Sequence, residues 1–92
     1  VKLNIEIGCP PGNPRPNEIL MNILSEIKKS DNQKITVWAN KYCEKPPEYS
    51  ILMGDLNCYM EISNDIHDEV QNFFKTHLTE MYYNGIIRFA SW

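Results

Sequence analysis

The stretch from residue 51 to residue 85 constrains the fold more than any other part of the sequence. Apolar and polar residues alternate from Leu52 to Ile62, and a period of two over that length predicts a half-buried strand. The inward set is Leu52, Leu56, Cys58, Met60 and Ile62, with Gly54 in the same register. Residues 65–84 then space their apolar side chains at a period of 3.6, which predicts an amphipathic helix. The sequence therefore predicts one strand that leads into a long helix.

The ends of this predicted helix have suitable residues. Ser63, Asn64 and Asp65 offer side-chain oxygens that can cap its start, and Gly85 suits a left-handed residue at its end. Asp65, Asp68 and Glu69 stand in or near the first turn, where the helix dipole favours negative charge.

The same two periodicities predict the other elements. Strands are expected at residues 1–7, 34–42 and 86–92, and a helix at 17–29. A proline-rich loop, GCPPGNPRP, separates the first strand from that helix. The order βαββαβ over a single domain, residues 1–92, predicts an α+β fold of the ferredoxin-like type, a four-stranded antiparallel sheet with two helices on one face.

One face of this sheet would then have no helical cover. It is expected to present Trp38, Tyr42, Tyr59 and Trp92 beside Lys2, Glu6, Asp55, Glu61 and Arg88. Exposed aromatic side chains are typical of interfaces, so we expect a homodimer.

Composition excludes several classes of protein. No apolar run approaches the roughly 20 residues that span a bilayer, and no basic start with an apolar stretch indicates a signal peptide. Three widely spaced cysteines, Cys9, Cys43 and Cys58, predict reduced thiols rather than disulfides or a zinc site. We expect a cytoplasmic protein, or one of the host cytoplasm if the gene is viral, without membrane contact.

No catalytic motif is found. His67 and His77 are ten residues apart, too far for a pair of metal ligands on one helix turn. The acidic string from Asp65 to Glu69 is better explained by the helix dipole than by metal binding. We therefore expect a protein that is not an enzyme and needs no cofactor or metal.

Charge is distributed unevenly along the chain. Basic residues are in slight excess up to residue 43, but residues 44–87 hold eight acidic residues against Lys45 and Lys75. The eight are Glu44, Glu48, Asp55, Glu61, Asp65, Asp68, Glu69 and Glu80. Carboxylates held on a rigid scaffold can imitate the phosphates of DNA and bind the DNA site of another protein. The alternative is a solvated surface without a partner.

The open sheet face suggests a second function, binding of single-stranded nucleic acid or of a small ligand. The basic, glycine and aromatic signature of RNA-recognition sheets is absent from the central strand. Asp55 and Glu61 on that face would repel phosphates, so direct nucleic-acid binding is not expected.

The chain as a whole resembles the small anti-restriction nuclease (Arn) proteins of T-even phages. The resemblance lies in size, in composition and in strings such as PPGNPRPNEILMNILSEI and EISNDIHDEVQNFF. It implies a DNA mimic that blocks a host restriction nuclease of the McrBC kind, or binds a histone-like protein. The eight acidic residues would then form the partner-binding surface.

Overall fold

The structure is a computed structural model that describes residues 1–12 and 15–92. Its elements, in chain order, are β1 (Lys2–Gly8), α1 (Pro16–Ile27), α2 (Gln33–Glu44), β2 (Tyr49–Leu52), β3 (Asp55–Glu61), α3 (Asn64–Tyr83) and β4 (Phe89–Ser91). The four strands form one sheet in the order β2-β3-β1-β4, and every neighbouring pair is antiparallel. The described residues thus form an α+β arrangement of one antiparallel sheet and three helices.

The predictions of β1, α1 and α3 are confirmed. The two helices begin and end within two residues of the predicted ranges, and Pro16 occupies the first turn of α1. Leu3, Ile5 and Ile7 of β1 are buried as the alternation predicts. Val1 was expected to point inward but is 59% exposed, because it precedes the strand and its amino group donates to the Ile62 carbonyl.

The strand predicted at residues 34–42 is wrong, since these residues lie in α2. Asn32 caps the helix by accepting a hydrogen bond from the Lys34 backbone N–H at 3.0 Å. Ile35 and Ala39 fit both a strand and a helix pattern, but burial of Trp38 on the same side fits the helix only.

The continuous strand predicted from Leu52 to Ile62 is also wrong. The chain reverses at Met53 and Gly54, whose φ angles of 54° and 84° form the kind of two-residue turn that joins hairpin strands. Leu52 opposes Asp55 across this hairpin and is exposed rather than inward. The place in the sheet expected for residues 34–42 is therefore taken by the short strand β2.

Strand β4 is shorter than the predicted 86–92. Ile87 is buried as expected, but Phe89, predicted to point inward, opposes Gly8 and is partly exposed. A Cβ atom on Gly8 would lie 2.2 Å from the Phe89 ring, so only glycine leaves room for that ring. Ala90, predicted to point outward, instead opposes Ile7 and is half-buried. The predicted alternation counted inward positions from Ile87. Ile87 precedes β4, which begins at Phe89, so its burial does not set the direction of the side chains in the strand.

The inward side chains of the sheet and the buried stripes of all three helices form one apolar core. Phe74 and Leu78 of α3 lie at its centre, together with Leu20 and Leu24 of α1. No buried charged residue interrupts this core in the described part of the chain. In the same part, no helix is both long enough and apolar enough to cross a membrane.

Helix α2 completes an edge of the sheet. Strand β2 pairs with β3 only as far as Cys58, which leaves the end of β3 without a neighbouring strand on that side. The Trp38 indole N–H donates to the Glu61 carbonyl at 2.7 Å, and the Glu61 N–H donates to the Tyr42 hydroxyl at 3.1 Å. The sequence predicted that Trp38 and Tyr42 lie on the open sheet face, and this is wrong. Both lie beside the edge of the sheet, next to the end of β3.

Candidate functional site

The structure does not bring the eight predicted partner-binding residues to one edge. They are Glu44, Glu48, Asp55, Glu61, Asp65, Asp68, Glu69 and Glu80. Asp55 and Glu61 lie at opposite ends of β3. Glu80 lies about 16 Å further along α3 than Glu69, at 1.5 Å per residue. Glu44 ends α2 and Glu48 lies in the connection to β2. These acidic residues therefore form separate groups.

One of these residues, Asp65, is engaged in contacts within the protein. Its carboxylate accepts hydrogen bonds from the Lys34 ammonium at 2.5 Å and from the Ser63 hydroxyl at 2.6 Å. The Lys34 hydrogen bond is the main cause that lowers the pKa of Asp65 to about 2. The same contact raises the pKa of Lys34. Asp65 therefore links α2 to α3, and its charge is offset by that of Lys34.

A second residue, Asp55, is also paired. Its carboxylate accepts a hydrogen bond from the Arg88 guanidinium, which lies close to the Met53 carbonyl as well. This pair joins the segment before β4 to the β2–β3 turn on the open face of the sheet. Asp55 is thus less available to a partner than its sequence position suggests.

The remaining acidic residues around the start of α3 are more available. Glu61 and Glu69 are exposed and form no ion pair with the described residues. The Asp68 side chain is 96% exposed, and its one hydrogen-bond contact among the described residues is with the His67 ring, at 3.0 Å. We call Glu61, Asp65, Asp68 and Glu69, together with Asp31, the acidic end of the molecule.

Asp31 joins this group through a cleft between the three helices. The cleft has a volume of about 480 Å³ and is lined by Ile27, Ser30, Asp31, Asn32, Ile35, Glu69, Val70 and Phe73. Its floor is apolar, and carboxylates stand on two sides of its rim, Asp31 in the α1–α2 turn and Glu69 on α3. A side chain with an apolar stem and a cationic head, such as arginine or lysine, fits this combination.

Sequence reasoning missed this cleft because it depends on α2. Residues 30–33 were interpreted as a turn between a helix and a strand, so Asp31 had no reason to lie near Glu69. The detectable signal was Asn32, a good helix N-cap residue, followed by apolar residues at helical spacing, Ile35, Trp38 and Ala39.

The open sheet face differs from its prediction. Of the four aromatic residues expected there, only Tyr59 remains, and it is 57% exposed. Trp92 lies instead beside the end of α3, where it lines a small cleft with Tyr82 and Tyr83. Next to Tyr59, the side-chain oxygens of Asn4 and Asn57 are buried and have no hydrogen-bond partner. The face is thus mainly polar, but besides Tyr59 it carries the partly exposed Phe89 ring beside Gly8 and the exposed Leu52 opposite Asp55.

The three cysteines lie in or against the apolar core, and His77 is half-buried on α3. His77 donates from Nδ1 to the Phe73 carbonyl at 3.0 Å and stacks on the Phe73 ring. All three cysteines are free, and burial raises the pKa of Cys58 to about 11, so its thiol stays protonated and unreactive. Among residues 1–12 and 15–92, no three potential metal ligands lie close enough to hold an ion.

Comparison with protein-family models, with curated proteins and with solved structures gave no match to this chain. The resemblance to the Arn proteins therefore stays a prediction from the sequence.

Proposed function

We propose that this protein is a binding protein rather than an enzyme, and that its acidic end engages a basic, DNA-binding protein. The observation that supports this most is the cleft between the helices, where Asp31 and Glu69 flank an apolar floor. An arginine or lysine of a partner can lay its aliphatic stem on Ile35 and Val70 and present its charge to both carboxylates. Asp68 and Glu61, both exposed and close in sequence to the start of α3, add negative charge at the acidic end.

The resemblance to Arn proteins suggests which basic partner this is. We propose that the acidic end imitates DNA phosphates and occupies the DNA site of a host protein, either a restriction nuclease of the McrBC kind or a histone-like protein. The protein would then act in the host cytoplasm. The modest net charge of −3 agrees with a local negative patch rather than a uniformly acidic surface.

We also propose that the fold is a ferredoxin-like variant. The strand order β2-β3-β1-β4 supports this, as do the helical connections from β1 to β2 and from β3 to β4. In this interpretation α2 is an addition to the first connection, and the cleft exists because of that addition.

A competition experiment tests the function. A fluorescent DNA duplex is bound to the purified candidate partner, and this protein is titrated in. We expect the DNA to be displaced, while the protein alone leaves the duplex unbound. Formation of a ternary complex, with DNA and this protein both retained on the partner, would contradict mimicry.

Paired variants locate the interface. Asp31→Lys with Glu69→Lys should weaken the competition by about tenfold or more, because both sides of the cleft become repulsive. The matched control is Lys28→Glu with Lys29→Glu, two exposed residues just after the end of α1, which should leave the competition unchanged or strengthen it. A larger loss in the control would place the interface elsewhere.

The second candidate function uses the open sheet face. The exposed ring of Tyr59, flanked by Asn4 and Asn57 on the polar sheet face, favours a planar ligand that can stack on it, such as a nucleobase or a small heterocycle. Titration of a single-stranded oligonucleotide, monitored by NMR shifts of these residues, tests it. Shifts that persist in Tyr59→Ala would argue against stacking on that ring.

A further inference from the structure

Strand β2 forms an outer edge of the sheet that no element of the described chain covers. It pairs only with β3, and all four of its residues are exposed. Tyr49, Ile51 and Leu52 are large and apolar, and the adjoining Met53 is 89% exposed. The strand contains no charged residue and no proline. Natural edge strands usually carry a charged residue or a proline that hinders pairing. An edge strand that lacks both is suited to pairing with another strand.

The pairing of β1 with β3 determines which backbone groups of the hairpin point outward. Val1 and Ile62 exchange two backbone hydrogen bonds, at 2.9 and 3.1 Å. In an antiparallel ladder the bonding direction alternates, so the even-numbered residues of β3 bond towards β1 and the odd-numbered ones towards β2. Glu61 agrees with this, because its backbone groups bond to α2 on the β2 side.

The direction of the groups on β2 follows from its register with β3. Ser50 opposes Asn57, an odd-numbered residue, so the backbone groups of Ser50 bond to β3, and those of Leu52 do the same. Tyr49 and Ile51 alternate with them. Their N–H and C=O groups therefore point out of the sheet, at the free edge.

We propose that this edge pairs with β2 of a second copy of the chain. The two strands run antiparallel about a twofold axis at Ser50, which joins the two sheets into one of eight strands. Tyr49 of each copy lies opposite Ile51 of the other. The two pairs exchange four backbone hydrogen bonds, all from groups that have no strand partner within one copy.

Side chains favour this register over the next one. Tyr49 beside Ile51 is an aromatic and β-branched cross-strand pair, a stabilising combination. Glu48 falls opposite Leu52 of the other copy, so no like charges face each other. A register centred on Ile51 would instead oppose Tyr49 to Met53, whose φ of 54° removes it from the strand. The edge is thus complementary to itself.

A groove next to Ile51 adds contact area for the second copy. Its volume is about 380 Å³, and its lining includes Pro10, Pro11, Arg15 and Ile51. Because Tyr49 of the second copy lies opposite Ile51 on the same sheet face, its ring comes to this groove. The whole interface stays small, so we expect a dissociation constant of about 10 µM or weaker.

Cysteine cross-linking tests the register directly. Across this axis the two Ser50 residues form a non-hydrogen-bonded pair, with Cα atoms about 4.5 Å apart, which a disulfide can span. In a Cys43→Ser background, Ser50→Cys should form a covalent dimer under mild oxidation. The matched control is Leu52→Cys, whose two copies lie about 13 Å apart along the strand. Equal yields for both variants would overturn the proposed register.

Sedimentation tests the edge without a cross-link. The unmodified protein should associate as its concentration rises to about 1 mM, and Ile51→Lys should weaken association about tenfold or more by placing a charge against Tyr49. Val37→Lys, at an exposed apolar position on α2, is the control and should associate like the parent. Circular dichroism checks that each variant is folded. A parent that stays monomeric, or an Ile51→Lys variant that associates equally well, would refute the proposal independently of the acidic end.

Discussion

At the scale of single residues, the contact between Asp65 and Lys34 gives the clearest prediction. The pKa of Asp65 is lowered from 3.8 to about 2 in the folded protein, mainly by the Lys34 hydrogen bond. A carboxyl whose pKa is depressed on folding stabilises the fold above its unfolded pKa, and that contribution is lost as pH falls through the folded pKa. The pKa of Lys34 is raised above its ordinary value of 10.5, so the contribution of the pair is present below that value and is lost as pH rises through the raised pKa.

We therefore expect Asp65→Asn to melt at a lower temperature than the parent at pH 7, and the difference to shrink between about pH 4 and pH 2. The difference should be small, because both side chains are largely exposed to solvent. Melting followed by circular dichroism across this pH range measures it, with Asp68→Asn as the control. A difference that stays constant down to pH 2 would show that Asp65 acts through something other than its charge.

At the scale of elements, helix α2 depends on two side chains that bond to a strand edge. Trp38 is almost fully buried and donates to the Glu61 carbonyl at 2.7 Å. Trp38→Phe keeps a ring in the core but removes this donor and some volume, so we expect a loss of about 1–3 kcal/mol in the free energy of unfolding. Urea denaturation measures this loss, and Val37→Ala on the exposed side of α2 should change it little. A loss below about 0.5 kcal/mol would mean that α2 does not need this bond.

The elements also show where the sequence was informative. β1, α1 and α3 were predictable because each follows one period over its whole length, with Pro16 and Gly85 near helix ends. The α2 segment was not predictable, because Ile35, Val37 and Ala39 alternate as the residues of a strand would. The contact that favours the helix, the hydrogen bond from Trp38 to Glu61, depends on β3 and cannot be seen in the local sequence. The β2–β3 hairpin was not predicted because the alternation of apolar and polar residues continues across its turn at Met53 and Gly54.

The candidate site was predictable only in part. The acidic start of α3 could be read from the chain, since Asp65, Asp68 and Glu69 are close in sequence. The pairing of Asp55 with Arg88 could not be predicted from the sequence, because strands that are far apart along the chain bring these two residues together. Asp31 needed the position of α2 to become part of the same surface.

At the scale of the whole molecule, the electrostatic character of binding can be measured. If the acidic end imitates DNA, partner affinity should fall steeply as salt rises, because exposed charges are screened over a Debye length of about 8 Å at physiological ionic strength. Glu61→Lys with Asp68→Lys should lower affinity mainly through the association rate, since long-range attraction acts on encounter. Stopped-flow or surface-plasmon kinetics at several salt concentrations separate the two rates. Lys28→Glu with Lys29→Glu should leave the association rate unchanged or raise it. A salt-independent affinity, or a loss confined to the dissociation rate, would show that shape and apolar contact in the cleft dominate binding.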